Sequence, residues 1–144
     1  MSRQQPEKRD RYQYFSTITT RWMDNDPYVH VNNVVYYSWF DTAVNGYLIE
    51  QGALDIRTGE VVGLVVETSC QYFSPVAFPD VVCAGLRVAK LGSSSVRYEV
   101  GIFRNDQREA SAQGYFVHVY VDRESQKPVA IPQNIRDKLT SLQV

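Results

Sequence analysis

Tyr36, Trp39, Phe40, Ala43 and Tyr47 recur at i, i+3, i+4, i+7 and i+11, the spacing of one helical face. They predict a helix from about Asn33 to Gln51, with Asn32 or Asn33 able to cap its start and Gly52 able to end it. Elsewhere the period is two. Between Ser95 and Phe103, Val96, Tyr98, Val100 and Ile102 fall on one side, and Arg97 and Glu99 on the other, as in a half-buried strand. Tyr14–Met23, Val61–Phe73, Val81–Lys90 and Ala110–Val121 also read as strands, rich in β-branched and aromatic residues. Ser74-Pro75, Phe78-Pro79-Asp80, the Gly92-Ser93-Ser94 region and Arg104–Gln107 punctuate them as turns. Pro132–Leu142 predicts a short terminal helix, and the polar Ser2–Arg11 a loose N-terminal tail. Strand, helix, then four strands with short turns implies one α+β domain over residues 1–144 with an antiparallel sheet. A single helix this apolar needs cover on most sides, which a curved five-stranded sheet wrapped around it would supply.

The break in this pattern is the polar run Asp24-Asn25-Asp26-Pro27-Tyr28-Val29-His30-Val31-Asn32-Asn33. Pro27 disfavours a continuous helix through the two carboxylates, so the run reads as a loop feeding a helix N-terminus. Free N–H groups at such an end, with carboxylates close by, can hold a developing oxyanion and supply a base or nucleophile.

Arg21-Trp22-Met23-Asp24-Asn25-Asp26-Pro27, His30-Val31-Asn32-Asn33, Tyr36, Phe40 and Asp41 together resemble the 4-hydroxybenzoyl-CoA thioesterase family, acyl-CoA thioesterases of hotdog fold. The family pattern is roughly D-x-D-x-x-G-H-V-N-N-x-x-Y-x-x-x-F-[DE], and the one departure is Val29 in place of glycine. A β-branched residue in a left-handed conformation is strained, so either the loop backbone differs here or that glycine is not needed for its freedom.

The resemblance implies that Asp26 acts as base or nucleophile on the thioester and that the backbone N–H of Asn33 polarises its carbonyl. On residue chemistry alone, Asp26 could equally be a turn-holding carboxylate. His30 could orient a water or the carbonyl, or lock the loop to the helix. Asp24 reads as structural, held by loop N–H groups or Arg21, rather than as half of a metal pair. Lys90, Ser93, Ser94 and Arg97 surround the turn where family members often contact the CoA nucleotide. The resemblance also implies a homodimer or homotetramer whose subunits share the acyl cleft, with residues around Glu67 to Phe73 completing it from a second copy. It implies no metal and no cofactor. The substrate expected is an acyl-CoA, hydrolysed to free acid and CoA. An acyl-ACP thioesterase and a non-catalytic acyl-thioester binding protein are the alternatives.

Composition narrows this further. A net charge of −1 gives no pull towards nucleic acid or an anionic membrane. No long apolar run or leader-like segment occurs, which predicts a cytoplasmic protein. Cys70 and Cys83 lie in apolar strands without CxxC spacing and read as buried thiols. G-x-S-x-G, G-x-G-x-x-G and P-loop motifs are missing from the sequence. A Cys70–His118 dyad is conceivable, but both residues sit in strand patterns that favour packing.

Overall fold

A computed structural model describes residues 4–53 and 59–144. The elements are β1 (Tyr14–Thr19), α1 (Val35–Glu50), β2 (Val61–Tyr72), β3 (Val81–Leu91), β4 (Ser95–Arg104), β5 (Ala112–Asp122) and α2 (Gln133–Thr140). The five strands form one antiparallel sheet in the order β1-β3-β4-β5-β2. This is the hotdog arrangement, a curved sheet around a central helix.

The periodicities explain the packing. Tyr36, Trp39, Phe40, Ala43, Val44, Tyr47 and Leu48 of α1 are buried. They meet a sheet face built from Val96, Tyr98, Val100 and Ile102 of β4, with Ala84, Leu86 and Val88 of β3. The outward residues of β4 are Arg97, Glu99 and Gly101, as the alternation requires. Tyr47 ties α1 to the C-terminal helix by donating its hydroxyl to the Lys138 carbonyl at 2.7 Å. Gly52 ends α1 with φ of +69°, and the Ala53 N–H reaches back to the Leu48 carbonyl at 2.9 Å.

Three differences from expectation have a clear physical cause. β1 stops at Thr19, because the Arg21 N–H is taken by the Asp24 carboxylate and Trp22–Asp24 closes into a 3₁₀ turn. Helix α1 begins at Val35, since Asn32 to Val34 forms a turn before it. The expected loose tail is a docked segment from residue 4 onward (residues 2 and 3 lie outside the described residues). Buried Gln113 accepts from the Glu7 N–H at 2.7 Å and donates to the Gln5 carbonyl at 3.1 Å. The Arg9 N–H bonds the Arg108 carbonyl, and the Ala110 N–H bonds that of Glu7. Tyr12 lies flat on the outer sheet face over Gly85 and Gly101, where an added Cβ would collide with its ring at 2.8 and 2.6 Å.

The sheet has two edges. β1 is short and Ser/Thr-rich, whereas β2 is twelve residues long and exposed from Gly63 to Thr68. Among the described residues, no helix is long and apolar enough to cross a membrane.

Candidate active site

The Asp24–Asn33 loop links β1 to α1 and rests on the β2–β3 connection. The Val31 N–H donates to the Val76 carbonyl at 2.7 Å, and the Phe78 N–H donates to Asn25 Oδ1 at 3.1 Å. Within this frame the two carboxylates take different roles. Asp24 is 1% exposed and fully engaged, accepting from the Arg21 N–H (2.8 Å), Nε (3.0 Å) and Nη2 (2.8 Å). Its carbonyl accepts the Asn32 N–H at 2.8 Å. Asp24 is a structural residue.

Asp26 is half-buried. Its Oδ1 accepts the Tyr28 N–H at 2.9 Å and the His30 N–H at 3.3 Å. Among the described residues Oδ2 accepts nothing. One oxygen therefore holds the turn while the other stays available, so a turn-holding Asp26 and a chemically free Asp26 are compatible. The turn is closed by the Asp26 N–H to the His30 carbonyl at 2.7 Å and the Val29 N–H to the Asp26 carbonyl at 3.0 Å. Val29 sits inside it with φ of +66°. The backbone thus keeps the left-handed geometry a glycine would adopt, with valine bearing the strain.

Neither Asn32 nor Asn33 is the N-cap, which is Val34 without a side-chain cap; Asn32 instead holds the turn ahead of the helix. Its Oδ1 accepts the Val34 N–H at 3.1 Å and its carbonyl the Val35 N–H at 3.0 Å. That leaves the Asn33 N–H without an acceptor among the described residues, in an exposed position just ahead of α1. It is an N–H at the positive end of a sixteen-residue helix. The Asn33 carbonyl receives the Tyr72 hydroxyl at 2.9 Å from the end of β2. His30 is exposed, and its imidazole bonds nothing among the described residues; its backbone, not its ring, holds the loop. His30 and Asn33 face Tyr36, Tyr72 and Phe73 across an open cleft of about 290 Å³.

The remaining expected site residues lie elsewhere. β3 runs from Val81, beside the loop, to Leu91, so the Lys90–Arg97 turn is about 30 Å away at ~3.3 Å per residue. Lys90 is exposed there. The Ser93 carbonyl accepts from the Ile131 N–H, and that of Ser94 from the Tyr120 N–H. Arg97 stacks on Tyr115 at 3.8 Å and pairs with Glu99 at 3.5 Å. One chain does not bring this turn to Asp26. The Cys70–His118 dyad is not formed. Cys70 stands opposite Gly114 and His118 opposite Val65, in different parts of the β2–β5 ladder. Burial pushes the Cys70 thiol up to about 11 and His118 down to about 4. Among the described residues no group of His, Cys, Asp and Glu is arranged to hold a metal ion.

A family model for the thioesterase-like superfamily matches residues 20–139, from the end of β1 to the second helix. The chain belongs to the thioesterase-like superfamily. No curated protein matches it. Among solved structures, the PA5185 protein from Pseudomonas aeruginosa strain PAO1 is 61% identical, with 97% of each chain covered and a TM-score of 0.94. A 1,4-dihydroxy-2-naphthoyl-CoA thioesterase from Synechocystis is 16% identical over 90% of this chain and 96% of its own, with a TM-score of 0.82. The gentisyl-coenzyme A thioesterase BH1999 is 22% identical over 88% and 99%, with a TM-score of 0.78. The last two share the fold. For this superfamily member, thioester hydrolysis is the general activity that family and fold support.

Tyr72 and Tyr36 were not singled out from the sequence. Tyr36 appears there as a position of the helical stripe and of the family pattern, without a role at the site. Tyr72 falls within the Glu67 to Phe73 segment expected from a second copy, and the structure places it in the cleft of its own chain.

Proposed function

We propose that this superfamily member is an acyl-CoA thioesterase of the 4-hydroxybenzoyl-CoA thioesterase type. The observation that carries the reading is that one loop holds both a carboxylate oxygen of Asp26 and the N–H of Asn33 without partners among the described residues, with Asn33 and His30, though not Asp26, lining the cleft. The thioester carbonyl is held at the Asn33 N–H, where the α1 dipole favours developing negative charge. Asp26 removes a proton from water as its oxygen attacks the carbonyl carbon. The C–S bond breaks, CoA leaves as thiolate and takes up a proton, and the acid is released. His30, on the cleft rim, is placed to orient the water or the carbonyl. Two relatives of the same fold are named for CoA thioesters, which favours CoA over a carrier protein. The Lys90, Ser93, Ser94 and Arg97 contact to the nucleotide is not carried into this reading. A second copy paired along β2 is part of it, as a wall of the cleft.

The test is turnover of acyl-CoA and acyl-ACP thioesters by the wild type and by Asp26→Asn. The amide keeps an acceptor for the Tyr28 and His30 N–H groups, so the loop is retained while the base is lost. A fall in kcat of roughly 10²–10⁴ is expected. Full activity in the variant would overturn the role of Asp26, tight binding without turnover would favour a binding protein, and preference for acyl-ACP would change the carrier.

A further inference from the structure

With the thioester carbonyl at the Asn33 N–H, the acyl group has two directions open to it: down between α1 and the sheet, or along the surface cleft. The first is filled. Tyr36 forms the cleft floor at 3% exposure, wedged edge-on against Trp39 (centroids 4.8 Å) and Tyr72 (5.0 Å). Beneath it Phe40 is fully buried and meets Phe116 edge-on at 6.3 Å. Phe40 uses even the space that Gly114 leaves, since a Cβ there would lie 2.8 Å from its ring. Ala43 and Val44 close the next turn, both at 0% exposure. A chain threading this route would have to displace packed aromatic rings, and close-packed interiors resist even one added methylene.

The second direction is shallow. The cleft is open to solvent and encloses about 290 Å³, just below the ~300–1,000 Å³ typical of ligand sites, so methylenes beyond it gain no cover from this chain. Tyr72 forms its wall and is fixed there by its bond to the Asn33 carbonyl.

We propose that Tyr36 and Tyr72 set the acyl specificity of this site, admitting short-chain or single-ring acyl groups and rejecting long aliphatic chains. The inference rests on the thioesterase reading above. The offset faces and edges of the two rings suit a flat or compact acyl group, and the thioester is held with its acyl end against them.

The wild-type protein decides this without a variant. Hydrolysis is measured on acetyl-, butanoyl-, benzoyl-, dodecanoyl- and palmitoyl-CoA, each below its aggregation concentration. The best short or single-ring substrate should exceed the long chains in kcat/KM by roughly tenfold or more. Comparable rates on dodecanoyl- and palmitoyl-CoA would overturn the inference and leave the hydrolase reading standing. No turnover of any thioester would overturn both. Tyr72→Ala and the milder Tyr36→Leu should then raise the ratio of long-chain to short-chain kcat/KM, whatever they do to the overall rate. An unchanged ratio in folded variants would also overturn it.

Discussion

Val29 at φ +66° is a β-branched residue where the loop geometry calls for glycine. A left-handed conformation costs a residue with a Cβ about 1–2 kcal/mol. Val29→Gly should remove that strain, offset in part by the greater freedom of glycine in the unfolded chain. The expected net gain is up to about 1 kcal/mol, read as a higher Tm in thermal unfolding. A lower Tm would mean that the exposed valine makes contacts worth more than its strain. The two aspartates should separate in the same assay. Asp24→Asn leaves the buried carboxylate site one charge short against Arg21, and should lower stability by about 1–3 kcal/mol. Asp26→Asn should leave stability nearly unchanged. His118 makes a further residue-scale prediction. It is 4% exposed between Tyr98 and Phe116, its Nε2 has no partner among the described residues, and burial holds it at about 4 against an ordinary 6.5. Between those values the unfolded chain binds the proton and the folded chain does not. Stability therefore falls on acidification from about pH 6.5 to pH 4 and rises with pH through that window. Chemical denaturation at pH 7 and pH 5 should show a smaller loss in His118→Phe than in the wild type. An equal loss in both would remove His118 as the cause.

At the scale of elements, the start of α1 is where the proposed chemistry is placed. Asn33→Ala should leave activity largely intact, because the donor is backbone and the Asn33 side chain caps nothing. Asn33→Pro removes the N–H, and a proline is tolerated just ahead of a helix. A folded protein with little activity is expected, checked by circular dichroism beside the thioesterase assay. A folded, fully active proline variant would end the oxyanion assignment. This element was legible in advance because its evidence is local: the 36-39-40-43-47 stripe and the carboxylates before it lie within one short stretch. The helix start moved by two residues because the Asn32 side chain and carbonyl take the Val34 and Val35 N–H groups into a turn that precedes it. Tyr72 was illegible as a site residue, since the bond that gives it a role spans 39 residues. The N-terminal segment is a similar case. Polar residues 4–11 read as solvated until Gln113, over 100 residues away, supplies their partners. The Lys90–Arg97 turn had suitable side chains, but the direction of β3 carries it to the far end of the sheet.

At the scale of the whole molecule, the sheet is unfinished on one side. Among the described residues β2 leaves its outer backbone unpaired over Gly63–Thr68, with Leu64, Val65 and Val66 40%, 46% and 60% exposed. Glu67 is the only charge in that stretch, and it is engaged by the Tyr115 hydroxyl. A long apolar edge of this kind invites pairing with another strand. β1 offers a shorter and more polar alternative. The exposed apolar residues of the active-site loop, Trp22, Met23 and Tyr28 at 74%, 74% and 82%, extend the surface that a second copy could cover. Antiparallel pairing of two β2 strands would continue the sheet across the pair and bring each loop towards the other subunit. A homodimer, or a tetramer built from it, is therefore expected in sedimentation. Val66→Lys places a charge on the edge at a position that is already 60% exposed in the single chain. It should cost the monomer fold little while shifting the protein towards monomer on dilution. If the cleft is shared between copies, activity should fall over the same dilution range in which the dimer dissociates. A Val66→Lys monomer with wild-type kcat/KM would show that one chain carries the complete site, with Asp26 and Asn33 sufficient on their own.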